Sequence, residues 1–332
     1  MNEKDKLKFS RLTETFEHNF KITNLYAEYL ERYPEVITKE MINTLTEDGE
    51  ISKEEAIVAI LSEIFALDFE NSDDRILIRD YITPSVKILD AEKYKNNPYY
   101  KKIKIKGIKN ADWELKEELY PAYRGVICDD MIIKDDFTEI PPLGFFTEDF
   151  SFPAVLEGGN EWMTLTPVDL DTCEEAIAKA RGKVVTFGLG LGYFAYMASE
   201  KCEVESVTVI ELSSDVIKLF EENLLPQMEH RDKIRIICAD AFEYAEKVMP
   251  NEHFDLAFVD TWRDASDGAP MYRKMKALEH LSKGTEFLYW IENFLISRIR
   301  AERFSDIYEK IEDGAKDAPE SYEKLIRELM KI

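Results

Sequence analysis

The sequence lacks the features that mark membrane-spanning, disulfide-linked and zinc-binding proteins. It has no run of 18 or more apolar residues, the length that a membrane span needs. Its four cysteines lie far apart and form no C-x-x-C pair, which is typical of reduced thiols rather than of a disulfide framework or a zinc site. The first residues, MNEKDKLKFS, are charged and lead into no apolar segment, so no signal peptide is predicted. We therefore expect a cytoplasmic globular protein with no membrane partner.

Positive charge is also scarce, since 43 Lys and Arg stand against 67 Asp and Glu and give a net charge of −24. Such a chain repels phosphate backbones, so nucleic acid is disfavoured as a partner and a small-molecule substrate is expected. The exception is segment 93–109, KYKNNPYYKKIKIKGIK, with seven lysines and no acidic residue. It predicts an edge strand whose lysines discourage pairing with other chains, in preference to an anion contact. Within it, Asn97-Pro98-Tyr99 is interpreted as a turn outside the α/β region.

The pattern of the sequence divides the chain into three regions. Residues 1–95 are predicted to be helical, with Ser52 and Glu55 forming a capping box. Residues 96–166 contain short strand-like runs and are predicted to form a small β-hairpin region on the substrate side. Residues 167–332 are predicted to form an α/β domain that ends in helices. The sequence leaves open whether the chain forms a homo-oligomer.

Strands and helices alternate in the third region. The strand-like runs are nearly all apolar, which predicts a doubly wound, mostly parallel, Rossmann-like sheet covered on both faces. A first helix is expected to be capped by Thr172 and Glu175 and closed by Gly182. Strands before residue 166 are expected to extend the sheet at one side. The expected strands are 184–187, 206–210, 234–238, 255–259 and 286–291, and the helices between them are 193–201, 214–225, 241–248 and 271–282.

Polar or glycine residues follow four of these strands where they end. Glycine lets a backbone approach a ligand closely, and ligands of open α/β sheets bind at the carboxyl ends of the strands. A carboxylate there can accept hydrogen bonds from ribose hydroxyls or from an adenine amino group. The glycines alone serve a nicotinamide dinucleotide or S-adenosylmethionine equally. The positions are Gly188, Gly190, Gly192, Glu211, Asp240, Ala241 and Asp260.

Over about residues 168–293 this series resembles the class I S-adenosylmethionine-dependent methyltransferases. FGLGLG is similar to the family's glycine motif, IEL to its ribose-binding position, CADAF to its adenine-binding position and FDLAFVD to its fourth-strand motif. The resemblance implies that Glu211 binds the ribose, Asp240 with Ala241 the adenine, and the glycines the methionine moiety of S-adenosylmethionine. The family's acidic residue two positions before the first glycine is Thr186 here.

The end of the fourth strand carries the residues expected to face the methyl acceptor, which the sequence does not identify. Asp260 is the candidate catalytic residue, as a base or as a group that holds the substrate. Thr261, Trp262 and Arg263 follow it on the substrate side. DTWR does not match the N/D-P-P-Y motif of amino-methylating enzymes, so methylation of a base amino group is not expected.

Asp260 with Glu292 and Asn293 is similar to the set by which catechol-type O-methyltransferases hold a divalent cation. Oxygen ligands at adjacent strand ends suit Mg²⁺. The favoured interpretation is instead that Glu292 and Asn293 cap the following helix.

Three alternatives to a methyltransferase remain. AVLEGGNEW and the acidic composition are similar to spermidine synthase-type aminopropyltransferases, although Arg263 stands where that family's loop has a second aspartate. The chain could also be a non-catalytic module that binds an adenosine ligand. A nicotinamide-dependent oxidoreductase ranks last, because it would leave Asp240 and Asp260 without a role.

Overall fold

The structure is a computed structural model that describes residues 1–105, 107–110 and 112–331. Its α-helices are α1 (Glu3–Arg32), α2 (Lys39–Leu45), α3 (Lys53–Ile64), α4 (Ser72–Ile76), α5 (Thr83–Ser85), α6 (Ala91–Lys95), α7 (Pro98–Lys102), α8 (Pro167–Lys179), α9 (Tyr193–Ser199), α10 (Ser214–Asn223), α11 (Ala241–Lys247), α12 (Ala265–Leu278), α13 (Glu292–Glu312) and α14 (Tyr322–Leu329). A π-helical turn, Leu77–Ile82, joins α4 to α5. No helix in these described ranges combines the length and apolar character needed to cross a bilayer.

The strands form four sheets. They are β1 (Val86–Leu89), β2 (Ile108–Asn110), β3 (Trp113–Tyr120), β4 (Gly125–Ile127), β5 (Ile132–Ile133), β6 (Glu139–Ile140), β7 (Leu143–Phe146), β8 (Phe150–Glu157), β9 (Asn160–Thr164), β10 (Gly182–Phe187), β11 (Val204–Glu211), β12 (Ile234–Cys238), β13 (Leu256–Val259) and β14 (Glu286–Tyr289). Two sheets are small, with the orders β1-β7-β4 and β5-β6. The other two have the orders β2-β3-β8-β9 and β12-β11-β10-β13-β14.

The chain divides into two compact units that are interleaved in sequence. One unit contains Met1–Leu89, Pro121–Glu148 and Asn293–Ile332, and the other contains Asp90–Tyr120 and Asp149–Glu292. The division of the sequence into residues 1–95, 96–166 and 167–332 remains a prediction about the domains of the chain. The candidate ligand-binding positions from Gly188 to Asp260 all fall in the second unit.

The first unit is built around the long helix α1. Asn2 caps this helix by accepting from the amide of Asp5, and the helix ends before Pro34, as the restriction on residues preceding proline requires. Phe16 of α1 stacks on Phe304 of α13 with ring centroids 4.1 Å apart. The predicted capping box of Ser52 and Glu55 is confirmed at the start of α3.

The second unit contains a five-stranded sheet in which every neighbouring pair is parallel. All five of its strands were predicted within two residues at each end. The chain runs from β10 outward through β11 to β12, then returns to the other side of β10 for β13 and β14. The middle of the sheet is fully buried at Val184, Val185 and Val259, which explains why the sequences of these strands are runs of apolar residues. The reversal of strand order beside β10 creates the position where such sheets bind ligands.

Three local predictions are wrong. Helix α8 begins at Pro167, because Asp169 accepts from the amide and hydroxyl of Thr166. Thr172, the predicted cap, lies inside this helix, and Gly182, its predicted end, is the first residue of β10. Helix α12 begins at Ala265, capped by Asp264, and runs through Pro270. The strands before residue 166 do not extend the parallel sheet, because β2, β3, β8 and β9 pair antiparallel with one another.

About half of the lysine-rich segment is helical, and little of it forms an edge strand. It covers part of α6 and all of α7, and only residues 108–109 fall in a strand, β2, at the edge of its sheet. Lys93 pairs with Asp171 at 2.7 Å and Lys109 with Glu114 at 3.0 Å. Lys106 lies outside the described residues.

Candidate functional site

A glycine turn connects β10 to α9 at the carboxyl edge of the parallel sheet. Gly188, Gly190 and Gly192 have φ angles of +100°, +52° and +75°, a backbone region that favours glycine. A Cβ atom on Gly188 would lie 1.9 Å from the backbone oxygen of Asp260, and one on Gly190 would lie 2.1 Å from Sδ of Met163. The conformation therefore favours glycine at all three positions, and the backbone oxygen of Asp260 excludes a side chain at Gly188.

Glu211, at the end of β11, lies against this turn. Its Oε2 accepts from the amide of Leu189 at 3.1 Å, and its Oε1 accepts from the amide of Ser213 at 2.8 Å. The residue is 8% exposed. Each carboxylate oxygen can accept a further hydrogen bond. Glu211 thus holds the turn in place and keeps acceptor capacity for a ligand.

Asp240 and Ala241 lie one strand further, where β12 passes into α11. Asp240 caps α11 by accepting from the amide of Glu243 at 2.8 Å through Oδ1. The amide of Ala239 donates to the backbone oxygen of Glu211 at 3.0 Å, which ties the ends of β11 and β12 together. The acidic side chains predicted for ribose and adenine therefore follow adjacent, hydrogen-bonded strands.

Asp260 lies on the other side of the turn, at the end of β13. Its amide donates to the backbone oxygen of Phe187 at 2.8 Å. Burial, and then the negative charges of Asp169 and Glu211, raise the pKa of the Asp260 carboxyl well above its usual range. A raised pKa makes the Asp260 carboxylate a stronger base than an exposed aspartate, which is the property that a general base needs.

Asp169 was missed by the sequence reasoning. It lies in the first turn of α8, and burial raises the pKa of its carboxyl to about 6. The signal that could have found it is the T-P-V-D run, in which threonine, proline and aspartate predict a helix start just before the glycine-turn strand.

Asp169 and Asp260 border one cavity with Gly188 and Trp290. The cavity has a volume of about 20 Å³, room for roughly one water molecule. The thiol of Cys173 also borders it, and burial followed by the charges of Asp260 and Asp169 raises the pKa of this thiol well above the usual range. Cys173 is therefore a protonated, unreactive wall of the cavity rather than a nucleophile. The full lining is Met163, Leu165, Asp169, Cys173, Thr186, Gly188, Leu189, Tyr193, Phe194, Ala195, Phe258, Asp260 and Trp290.

The three residues after Asp260 have different surroundings. Trp262 is 6% exposed and its ring stacks near Tyr289 at 6.3 Å, whereas Arg263 is exposed. The Oγ1 of Thr261 and the Nε1 of Trp262 are buried and have no hydrogen-bond partner among the residues that the structure describes. The amide of Arg263 donates to Asp267, as part of the start of α12.

Glu292 and Asn293 bond to neighbours of their own. Glu292 accepts from the hydroxyl of Tyr272 at 2.6 Å and lies 3.3 Å from Nζ of Lys276. Within the described ranges, no group of three or more His, Cys, Asp or Glu side chains is arranged to hold a metal ion. The magnesium hypothesis for Asp260, Glu292 and Asn293 therefore has no support from the arrangement of these side chains.

The alternative interpretation of this pair, as the cap of α13, is also wrong. The amides of Asn293 and Phe294 donate to the carboxylate of Asp130, at 2.9 Å and 3.1 Å. The amide group of Asn293 donates to the backbone oxygen of Met131 at 2.8 Å. A carboxylate distant in sequence therefore caps this helix, which no local pattern can reveal.

The Asn97-Pro98-Tyr99 segment contacts the glycine turn directly. Asn97 caps α7 and also donates to the hydroxyl of Tyr193 at 3.0 Å. The hydroxyl of the fully buried Tyr99 donates to the backbone oxygen of Leu191 at 2.6 Å. Its interpretation as a turn outside the α/β region is wrong, because the segment lies in the same compact unit and braces the glycine turn.

Comparisons with known proteins give distant structural likenesses only. No protein-family model and no curated protein sequence matches the chain. Similar solved structures include a precorrin 8W decarboxylase from Methanobacterium thermoautotrophicum, with 20% identity, TM-score 0.28, and coverage of 36% of this chain and 60% of that one. A candidate O-methyltransferase from Klebsiella pneumoniae has 16% identity, TM-score 0.27, and coverage of 34% and 49%. Spermidine synthase from Thermotoga maritima has 13% identity, TM-score 0.31, and coverage of 56% and 64%. Each match spans less than two thirds of the known protein, and at these TM-scores none assigns an activity to this chain.

Proposed function

We propose that the second unit binds S-adenosylmethionine on a doubly wound sheet, and that the protein transfers its methyl group to a small-molecule acceptor. The observation that carries the proposal is the attachment of Glu211 to the glycine turn through the amide of Leu189. This hydrogen bond brings the acidic residue at the end of β11 next to the glycine turn, and sheets of this strand order bind a ribose with that combination.

The residues present fit an adenosine ligand. Glu211 has acceptor capacity for ribose hydroxyls, and Asp240 keeps Oδ2 for an adenine amino group while Oδ1 caps α11. The thioether of Met163 lies over Gly190, and because methionine is unbranched and flexible it can move aside when a ligand approaches the turn.

Asp260 is the residue proposed to act on the acceptor. When bound, S-adenosylmethionine supplies an electrophilic methyl group. The elevated pKa of Asp260 suits a base that takes the proton leaving the acceptor's nucleophilic atom. The apolar walls, including Phe194 and Phe258, keep water from that atom.

One observation favours a second candidate, an aminopropyltransferase. Asp169 and Asp260 share a cavity, and two carboxylates suit an ammonium group of a polyamine. The two candidates differ in the donor, because an aminopropyltransferase uses the decarboxylated form of S-adenosylmethionine.

Thermal unfolding with S-adenosylmethionine, S-adenosylhomocysteine and NAD tests the methyltransferase proposal. A ligand at 100 times its dissociation constant adds about 2.7 kcal/mol to the unfolding free energy. We expect both sulfur ligands to raise the Tm, and NAD to leave it unchanged because the G-x-G-x-x-G spacing of a dinucleotide turn, counted from Gly188, fails at Tyr193.

Variants of strand β11 supply the control. Glu211→Gln should abolish most of the Tm increase, whereas Glu205→Gln, an exposed position on the same strand, should preserve it. The proposal fails if NAD stabilises the protein as much as the sulfur ligands do, or if neither sulfur ligand raises the Tm.

A further inference from the structure

A second cavity lies beside the amino end of β14, the edge strand of the parallel sheet. Residues 282–285 lead into this strand, so the cavity is at the opposite end of the strands from the glycine turn. Its volume is about 420 Å³, within the range of cavities that bind small molecules. The described lining is Lys276, Glu279, His280, Ser282, Lys283, Gly284, Thr285 and Phe287.

The acidic groups at this cavity already have partners. Glu279 is the only carboxylate among the described lining residues. It accepts from the hydroxyl of Tyr289 at 2.8 Å and lies 3.0 Å from Nζ of Lys276. Glu286, which begins β14, lies 2.9 Å from Nζ of Lys179. Neither carboxylate is therefore left to neutralise the other cationic groups of the cavity.

Lys283 supplies positive charge to the cavity wall. It forms no ion pair with any Asp or Glu of the described residues. In a chain with a net charge of −24, an unpaired lysine at a cavity is a local exception to the acidic composition. An anion can therefore pair with Lys283 without displacing a carboxylate.

His280 adds a ring nitrogen to the same wall. Its Nδ1 lies 2.8 Å from the backbone oxygen of Ala277, an atom that can only accept, so Nδ1 carries a proton. Its Nε2 makes no hydrogen bond to another described residue. When the ring is protonated, Nε2 donates as well, and the ring then offers an anion both a hydrogen bond and a positive charge.

Ser282 provides a hydroxyl that lacks a partner. The residue is 9% exposed, and its Oγ is buried with no hydrogen-bond partner among the described residues. An unsatisfied buried hydroxyl is unfavourable, and a serine has three staggered rotamers, so the hydroxyl can turn toward an anion in the cavity. The amides of Lys283 and Gly284 also donate to no other described residue. The cavity wall therefore combines positive charge with several hydrogen-bond donors.

These groups are the ones that a small oxyanion requires. We propose that the cavity binds the phosphate group of a small molecule, with Lys283 and His280 supplying charge and Ser282 and the two amides supplying further donors. The oxygens of a phosphate accept hydrogen bonds from several directions, which suits a wall of side-chain and main-chain donors. Phe287 offers an apolar surface to the rest of such a molecule.

The charge of the whole chain limits the ligand to a small one. A net charge of −24 repels a polynucleotide with its many phosphates, whereas a single phosphate interacts mainly with nearby charges because salt screens the distant ones. The inference does not depend on the proposed function, since the two sites lie at opposite ends of the strands.

Histidine resonances of the unmutated, full-length protein test the site directly. The chain has four histidines, His18, His230, His253 and His280, and of these only His280 borders the cavity. At constant pH, inorganic phosphate or phenyl phosphate should move the imidazole resonance of His280 to a saturating value and leave the other three in place. Sodium chloride at the same ionic strength should move none of them. Tighter binding of phenyl phosphate would identify a phosphate ester as the ligand, and equal binding would identify free phosphate.

The same titration of variants measures what single groups contribute. Lys283→Gln should weaken the binding of inorganic phosphate about 10-fold, the effect of one hydrogen bond to a charged group. Ser282→Ala should weaken it by a smaller factor, because a neutral hydroxyl forms a weaker bond. Lys218→Gln, at an exposed position of α10 outside the cavity, should leave it unchanged.

The inference is overturned if phosphate does not move the His280 resonance to saturation, or if chloride moves it equally. Equal phosphate affinities of Lys283→Gln and Lys218→Gln would overturn it too. Lys283→Gln should bind S-adenosylhomocysteine as tightly as the wild type does, so the phosphate site and the proposed function stand or fall separately.

Discussion

At the scale of single residues, the buried carboxyl group of Asp260, whose charge is unfavourable there, lies where a ligand is proposed to bind. Asp260 is surrounded by apolar walls and by Asp169 and Glu211, and nothing among the described lining residues neutralises it. Functional sites commonly contain groups, such as this buried carboxyl, that lower the stability of the fold. The sequence predicted Asp260 because it follows an apolar strand, but it could not predict Asp169, which comes from a helix whose cap was placed six residues too late.

Asp260→Asn should stabilise the protein in a pH-dependent way. Because burial raises the folded-state pKa above the ordinary value of 3.8, the folded chain keeps a proton that the unfolded chain loses, and the unfolding free energy falls as pH rises above about 4. Asparagine removes that penalty. We expect the variant to be more stable by about 1–3 kcal/mol at pH 8 and by little at pH 4, measured by urea unfolding.

The control for this prediction is Asp232→Asn, at an exposed position of the same unit, which should change stability little at either pH. Equal stability of the wild type and Asp260→Asn at pH 8 would show that the Asp260 carboxyl is not penalised by its surroundings.

At the scale of elements, the sequence predicted the parallel sheet and the starts of α9, α10 and α11 closely, and the starts of α8 and α12 poorly. The central strands β10, β11 and β13 are largely buried runs of apolar residues, and the edge strands β12 and β14 are apolar but only partly buried. That signal is local. Helix starts depend on capping contacts. Asp130 caps α13 from more than 160 positions away in the chain, and the Thr166–Asp169 box competes with the Thr172–Glu175 pattern a few residues later. Long-range capping and competing local patterns are decided by tertiary packing.

The geometry of the glycine turn predicts how much an alanine substitution there lowers stability. Gly188→Ala should destabilise the protein far more than Gly284→Ala, although the two glycines have similar φ angles of +100° and +92°. At Gly284 a Cβ would meet nothing within 4 Å, so only backbone strain of about 1–3 kcal/mol applies. At Gly188 it would collide with the backbone oxygen of Asp260, and we expect a loss of at least about 2 kcal/mol more.

Thermal unfolding of the two variants measures this difference. Similar Tm values for Gly188→Ala and Gly284→Ala would mean that the close approach between the turn and the end of β13 is not a constraint on the fold.

At the scale of the whole molecule, the chain passes between its two units several times. The first unit is assembled from three stretches of sequence and the second from two. Composition gave no sign of this interleaving, because both units share the acidic surface and the ordinary apolar content of the chain. The candidate site could be predicted from the sequence as far as the strand ends, whereas Met163 and the Asn97–Tyr99 brace come from segments that precede the predicted α/β region. Asp169 lies inside that region but in a helix start that was predicted at another position.

A crystal structure with S-adenosylhomocysteine bound tests the central claim most directly. The account predicts an adenosine across the ends of β10, β11 and β12, with its ribose hydroxyls within about 3 Å of Glu211 and its purine beside Asp240 and Ala241. An adenosine bound elsewhere, or a ribose that does not contact Glu211, would contradict it.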